Sequence, residues 1–459
     1  MSRKRYLQYM YSYPHKTAYR PLHGISLKDY AHLLKGCGHG LYVHIPFCQA
    51  KCGYCNLFSV TGQEEEAVDR YLEALKRQSR QYKELVSGAG TEFSELVTGG
   101  GTPLYLTHRQ LSNLYETVKN DFSFSDSAQS VIETAPNQTD GAKLGILKQY
   151  GVTRVSMGIQ SFHDSELSAL GRRHRAKKAR EALELLKKAE FSCINLDFIY
   201  AIAGQTAESL LESLRIAAAY EPDELFLYPL YIKHGAGLER TGIVPDEKEA
   251  FRQYEHARDY LLSYGFRQDS MRRFVRLDTQ EGKQRAFSDC GFQTSLALGC
   301  GGRSYLGNLH FCSPYAVTDA ECRMRIREFE QTQDYTKISH GFLLSPEEVK
   351  RRYIIKHLFT CPGLPLRHYQ AVFHSRAAED FPVLDSWIEK GYVSEHAGTD
   401  TKKTQDISEV FLALTETGLG LSDCLGPQLI SEPVRQAMEE WEKKHGRTYG
   451  TVQGESEKL

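Results

Sequence analysis

Between about residue 41 and residue 230 the chain alternates short β-type apolar runs with amphipathic helical stretches, and this rhythm narrows the fold more than any other feature. Strand-like runs fall at 41–45, 93–97, 130–133, 154–157, 194–200 and 224–228. Helical periodicity fills the intervals, near 64–85 (Val68, Tyr71, Leu72 and Leu75 on one face), 107–119, 139–149, 164–170, 176–189 and 206–219. Strands alternating with helices at this spacing argue for βαβ units and a parallel sheet. Six repeats predict an α/β fold, a partial (β/α)6 TIM-like barrel, with its chemistry on the loops that follow strand C-terminal ends.

Outside that region the rhythm changes. Residues 1–40 are aromatic and polar with little periodicity, and read as a tail or cover in front of a core at 41–245. A helix near 247–264 and the glycine-rich run Leu298-Gly299-Cys300-Gly301-Gly302-Arg303 fall in an extension at 246–344. From 345 to 459 the pattern is mostly helical, with a short hairpin near 392–412 and a polar end from Gly446. A chain of 459 residues is long enough for such a multi-part organisation.

The formal net charge of −1 gives no global field toward nucleic acid or membrane, so neither is expected as a partner. Eleven cysteines are too sparse in this length for a disulfide scaffold. The opening Met1-Ser2-Arg3-Lys4-Arg5-Tyr6 leads into no apolar signal core, and no stretch has the length of a membrane span. A reducing cytoplasm is the expected compartment.

Three of the cysteines stand in one tight loop directly after the first strand, Cys48-Gln49-Ala50-Lys51-Cys52-Gly53-Tyr54-Cys55. Three thiolates spaced C-x3-C-x2-C can hold three irons of a [4Fe–4S] cube and leave the fourth iron open to a small molecule. Zinc is the alternative, but a structural zinc site wants four ligands, usually as two separated pairs. No second C-x2-C pair is present, although Cys37 and His44 are near enough in sequence to complete a set. Free thiols are a third reading.

The next strand end carries Thr98-Gly99-Gly100-Gly101-Thr102-Pro103, where glycines let backbone approach a ligand closely. It lacks both the G-x-G-x-x-G spacing and a P-loop lysine, which argues against a nucleotide phosphate cradle. Further strand ends carry Glu133, Gln160 and Asp197. Each taken singly is a helix cap or a satisfied buried polar group. Their shared position after successive strands is what favours a ligand.

These motifs together resemble the radical S-adenosyl-L-methionine (SAM) enzymes, nearest to the oxygen-independent coproporphyrinogen III oxidases and the related haem chaperones. The resemblance rests on Tyr42-Val43-His44-Ile45-Pro46-Phe47-Cys48 with Cys52 and Cys55, on Gly99-Gly100-Gly101-Thr102-Pro103, and on Val155-Ser156-Met157-Gly158-Ile159-Gln160-Ser161-Phe162. Leu170-Gly171-Arg172 and Asn195-Leu196-Asp197-Phe198-Ile199-Tyr200 extend it. It implies that Cys48, Cys52 and Cys55 are the metal ligands of a [4Fe–4S] cluster whose open iron is chelated by SAM. Tyr42, Gly100 and Glu133 match contacts to that SAM. Tyr54 sits where the family places an aromatic beside a second SAM, and Gly101, Thr102, Gln160, Arg172 and Asp197 match that second site. The implied reaction cleaves SAM to a 5′-deoxyadenosyl radical that takes hydrogen from an anionic substrate of the tetrapyrrole kind, in porphyrin biosynthesis. A low-potential donor of the flavodoxin or ferredoxin type would supply the electron.

Tyr11-Ser12-Tyr13-Pro14 resembles the tail of the oxidases more than that of the chaperones. Leu57 stands where the oxidases often carry another cysteine, and Tyr228-Pro229-Leu230-Tyr231 departs from many relatives. The chaperones' haem-binding pattern has no clean counterpart; Cys290, Cys300, His310 and Cys312 are the candidates. Haem delivery, and methyl transfer or cyclopropane formation with a second SAM, are therefore the alternatives. Three basic clusters, Arg172-Arg173-His174-Arg175 with Lys177 and Lys178, then Arg272, Arg273 and Arg276, then Arg323, Arg325 and Arg327, read as solvated faces or as carboxylate-binding groups.

Overall fold

The computed structural model describes residues 5–10, 12–233, 235–279, 292–399 and 408–445. Its contacts divide the chain into a barrel unit, Tyr19–Asp246 with Gln293–Leu343, and a second unit of Met1–Ala18, Glu247–Phe292 and Leu344–Leu459.

Six strands of the barrel unit lie side by side in chain order: β1 (Gly36–Ile45), β2 (Thr91–Gly100), β3 (Phe124–Thr134), β4 (Arg154–Gln160), β5 (Cys193–Tyr200) and β6 (Glu224–Pro229). Every neighbouring pair is parallel. Parallel neighbours need a crossover, and helices supply it: α1 (Glu65–Ala89), α2 (His108–Asp121), α3 (Gly141–Gln149), α4 (Ala176–Ala189) and α5 (Ala207–Ala218). These helices start and stop on local signals. Thr107 and Gln110 form a reciprocal cap at the start of α2, and Gly90 ends α1 in the left-handed conformation. The partial (β/α)6 barrel read from the sequence is the observed architecture, with strands longer than their apolar runs indicate.

The sheet continues past β1. Ser295–Leu298 pairs with β1 in parallel, and Ser304–Leu306, Leu309–Phe311, Lys337–Leu343 and Arg20–Ser26 follow as antiparallel neighbours. The aperiodic opening segment thus contributes an edge strand, and the glycine-rich run follows a strand parallel to the core.

Alternation along each strand sends one set of side chains toward the helices and the other into the barrel. Leu96 and Thr98 of β2 are buried on the helix side, whereas Glu95 and Val97 on the inner side keep partial access to solvent. Register fixes how the loops begin. Ile45 lies opposite Gly100, so the cysteine loop and the glycine loop leave the sheet side by side.

The second unit is mainly helical. Its Pro346–Leu358, Leu366–Phe373 and Val383–Glu389 helices accompany a small sheet in which Ser408–Leu414 lies between Leu364–Pro365 and Val393–Thr399. The N-terminal segment belongs to this unit: Tyr13 donates to Glu348 while its oxygen accepts from the Ser431 N–H at 3.3 Å, and the Gln8 N–H reaches the Asp423 carbonyl at 3.2 Å. Tyr11, Cys290 and the polar end from Gly446 lie outside the described residues. Among the described residues no helix is long and apolar enough to cross a membrane.

Candidate functional site

The three cysteines follow β1 within eight residues, all partly buried. The loop is held from several sides. The Gly53 N–H donates to the Leu170 carbonyl at 2.9 Å, and the Leu238 N–H to the Gly53 carbonyl at 2.7 Å. A Cβ on Gly53 would come within 2.9 Å of Leu238 Cγ, so glycine is required for that approach. Tyr54 packs against the apolar cluster of Leu170, Ile199, Ile202, Leu230 and Leu238.

Charges around the sulfurs are arranged unevenly. Arg172 Nη1 donates to Cys52 Sγ at 3.1 Å while its Nη2 holds the Gly158 carbonyl. Cys48 Sγ lies 3.7 Å from Thr102 Oγ1. Burial raises the Cys48 thiol and pushes Cys55 up to about 12, with the Cys52 sulfur adding to both.

The glycine loop approaches the cysteine loop through backbone. The Gly101 N–H donates to the Ile45 carbonyl and the Thr102 N–H to the Phe47 carbonyl, each at 2.8 Å. Gly100, with φ at +115°, sits against the His44 ring, whose Nε2 lies 3.1 Å from the Phe58 carbonyl and whose Nδ1 lies 3.3 Å from the Tyr42 hydroxyl.

Inside the barrel, Glu133 accepts from the Gly100 N–H at 3.1 Å. Depth in the protein raises its carboxyl to about 7; the Gly100 bond opposes this and the Asp197 charge adds to it. Asp197 is raised to about 6, again by burial first, with Asn195, Arg154 and Arg172 opposing. Burial and the Glu133 charge raise the Tyr42 phenol, and the Arg303 charge works against them. Gln160 ends β4 with φ at +71°, unusual for a residue with a side chain. Tyr42, Tyr54, Gly100, Gly101, Thr102, Glu133, Gln160, Arg172 and Asp197 therefore share one end of one barrel with the three cysteines.

Several neighbours were not anticipated. Asn195 Nδ2 donates to Asp197 Oδ1 at 2.8 Å and to Ser156 Oγ at 2.7 Å. Arg154 pairs with the fully buried Glu224. Asn195 and Asp197 are two apart on one strand, which is the signal that would have found the first from the second.

The three basic clusters separate. Arg172 turns into the site, and His174 is buried with its Nε2 at 3.2 Å from the Ile159 carbonyl. Arg272 is buried against Asp423, Arg276 is 2.9 Å from Asp278, and Arg323 and Arg325 pair with Asp319 and Glu328 at 2.5 and 2.8 Å. Of the candidate haem ligands, Cys300 is 3% exposed and His310 0%, while Cys312 is half-buried. Among the described residues no three His, Cys, Asp or Glu side chains converge on one point as a single metal ion needs.

Comparison with known proteins adds to this geometry. Residues 42–217 match the model of the Radical SAM superfamily. The haem chaperone HemW of Haemophilus influenzae is 28% identical over 282 residues, covering 58% of this chain and 70% of the relative. The oxygen-independent coproporphyrinogen III oxidase of Escherichia coli is 26% identical over 372 residues, covering 77% and 79%. The solved structure of coproporphyrinogen III oxidase (HemN) from Escherichia coli superposes with a TM-score of 0.72 at 22% identity, covering 87% of this chain and 92% of the other, and shows that the fold is shared.

Proposed function

We propose, for a chain that belongs to the radical SAM superfamily within the coproporphyrinogen oxidase and HemW group, a radical oxidoreductase that takes hydrogen from an anionic substrate of the tetrapyrrole kind. The observation that carries this reading is the meeting of three thiols, an arginine and two hydrogen-bonded carboxylates at one strand-end face.

The donor set fits a [4Fe–4S] cluster. Cys48, Cys52 and Cys55 would hold it, and a cluster distributes its thiolates over separate irons, so their sulfurs need not converge on one ion. Arg172 brings a guanidinium N–H to 3.1 Å from the Cys52 sulfur, where it would donate a hydrogen bond to a cluster's ligand sulfur. When bound, the cluster and SAM supply one-electron cleavage of SAM and the 5′-deoxyadenosyl radical that abstracts hydrogen.

The protein's own part is placement. Gly100 and Gly101, lacking side chains, let the His44 ring and the Cys48 sulfur close onto the backbone beside the cysteines, where the amino and carboxylate groups of SAM would bind. Glu133, oriented by the Gly100 N–H, suits a ribose hydroxyl, with Tyr42 alongside. Gly101, Thr102, Gln160, Asp197 and Arg172 border the space next to Tyr54 that a second SAM would take. Holding SAM among these walls would set its 5′ carbon against the substrate C–H and keep other C–H hydrogen donors away. A flavodoxin- or ferredoxin-type protein is the proposed electron donor and the cytoplasm the proposed compartment.

Haem delivery is the second reading, favoured by the identity to HemW. The deep burial of Cys300 and His310 weighs against these two as haem ligands. The test is anaerobic reconstitution with iron and sulfide, then dithionite and SAM, with 5′-deoxyadenosine quantified with and without coproporphyrinogen III. A substrate-dependent rise together with protoporphyrinogen supports the oxidase reading. Deoxyadenosine without porphyrin turnover keeps the radical chemistry and removes this substrate. S-adenosylhomocysteine in the same mixture would bring methyl transfer forward. A stoichiometric Soret shift on haem titration, with no deoxyadenosine, would favour the chaperone.

A further inference from the structure

Two non-glycine residues at the mouth of the barrel adopt left-handed backbone directly past neighbouring strands: Gln160 at the end of β4, with φ at +71°, and Ala201 just after β5, with φ at +63°. Side chains make this conformation costly, and it persists only where the surroundings hold it. One buried carboxylate lies at the junction of both turns. Glu166 is 3% exposed and sits on the short helix Asp164–Ala169.

Its bonds reach both turns. Ser161, the residue after Gln160, donates to Glu166 Oε2 at 2.6 Å, and the same Ser161 Oγ receives the His163 N–H at 2.9 Å. Gln205 Nε2 donates to Glu166 Oε2 at 2.9 Å and to the Ile199 carbonyl at 3.2 Å, while Gln205 Oε1 accepts from the Ile202 N–H at 3.3 Å. Those last two partners bracket Ala201. Ser209, in the first turn of α5, donates to Glu166 Oε1 at 2.5 Å. The helix carrying Glu166 also leads into the site: its Leu167 carbonyl receives the Arg172 N–H at 2.9 Å, and the Leu170 carbonyl receives the Gly53 N–H at 2.9 Å.

We infer that Glu166 is a positioning residue, a clamp that holds the turns after β4 and β5 in one arrangement and thereby sets Gln160 and Arg172 against the cofactor. The inference rests on the reading that Arg172 and Gln160 face SAM. Glu166 itself touches neither cofactor nor cysteine; it acts through Ser161, Gln205 and its own helix. A carboxylate suits this place because it accepts from three donors at once and keeps both turns tied to α5. Supporting groups of this kind change affinity by about 10- to 100-fold when removed.

The test compares Glu166→Ala, Glu166→Gln and Arg172→Ala in the full chain. Hydrogen exchange on the protein before reconstitution reads the turns directly. Glu166→Ala should raise exchange at 160–163 and 200–205 and leave β1 to β3 unchanged, and Glu166→Gln, which keeps the shape but loses one acceptor oxygen, should recover only part of the protection. After reconstitution, Glu166→Ala should bind SAM about 10-fold more weakly at unchanged iron content, with the loss in KM rather than kcat. Wild-type exchange and affinity in Glu166→Ala, alongside weakened binding in Arg172→Ala, would overturn the clamp and leave the SAM reading standing. Unchanged SAM affinity in Arg172→Ala would remove that reading and the clamp's purpose with it. If Glu166→Ala fails to fold, Ser209→Ala removes one donor and should weaken SAM binding a few-fold; wild-type affinity there also overturns the inference.

Discussion

Substituting Gly101 by alanine should damage the site through packing alone. A Cβ built there lies 2.7 Å from the Phe47 carbonyl oxygen and 3.0 Å from Cys48 Sγ. Neither contact can be relieved by turning a flexible side chain, because one is backbone and the other is a short thiol at the start of the cysteine loop. Restoring the 3.4 Å of ordinary contact requires the two loops to part by roughly 0.7 Å. That motion works against the Gly101 N–H bond to Ile45 and the Thr102 N–H bond to Phe47, both at 2.8 Å. Overpacking of this kind costs about 1–3 kcal/mol. Urea unfolding of the metal-free protein should show that loss in the transition that includes the barrel, and reconstitution should give clearly less than wild-type iron per chain. Gly145→Ala is the control: it is exposed in the middle of α3 with nothing within 4 Å of its new Cβ, and should gain about 0.5–1 kcal/mol. If Gly101→Ala matches wild type in both midpoint and iron, the two loops do not meet as described, and the argument for a shared site loses its geometric base.

Other expectations follow from single groups. Cys52→Ala should bind no [4Fe–4S] cluster while keeping wild-type circular dichroism; full iron and sulfide in that variant would exclude Cys52 as a ligand. Because Glu133 is raised from 4.5 to about 7 and Asp197 from 3.8 to about 6, the folded metal-free protein holds protons that the unfolded chain has released. Their contribution is complete below the unfolded values and is lost as pH rises through the folded ones, so the urea midpoint should fall between about pH 4 and 7 and level off above. The fall should be smaller in Glu133→Gln, and an identical pH profile would show that Glu133 titrates normally. Arg154→Met should lower the urea midpoint by removing the ion pair with the fully buried Glu224, and the double variant with Glu224→Leu should recover part of the loss. No recovery would mean that the loss came from packing and not from the broken pair.

The parts of the fold that the sequence displays are those where one physical rule acts alone. The crossover helices have apolar stripes and clear caps, and their observed bounds, such as 176–189 for α4, match the periodic runs. The strand cores are visible for the same reason, but not their lengths. The β3 strand begins at Phe124, which pairs with Phe93 of β2, well before the run at 130–133; the polar and small residues between them form no apolar run. Ser295–Leu298 has only four residues and a glycine-rich sequel. Nothing local marks it as a continuation of the barrel; its pairing with β1, about 250 residues earlier, is a long-range fact.

The site divides along the same line. The cysteines, the glycine loop and the strand-end Glu133, Gln160 and Asp197 stand out because their spacing or residue type has no routine structural use in that combination. Arg154, Asn195, Ser156 and Glu224 lie on the inner faces of the same strands, but each alone reads as an ordinary polar residue in a strand. Only the register, with Ser156 opposite Asn195 and Asn195 opposite Glu224, turns them into one connected lining beneath Asp197. Glu166 is hidden more completely, since its partners Ser161, Gln205 and Ser209 come from three different segments and none has a shifted polarity to betray it. Groups that would touch a ligand are constrained by chemistry and so leave motifs. Groups that hold them in place are constrained by geometry, which short-range spacing does not record, and so a positioning residue such as Glu166 has to be found from bonds and backbone angles.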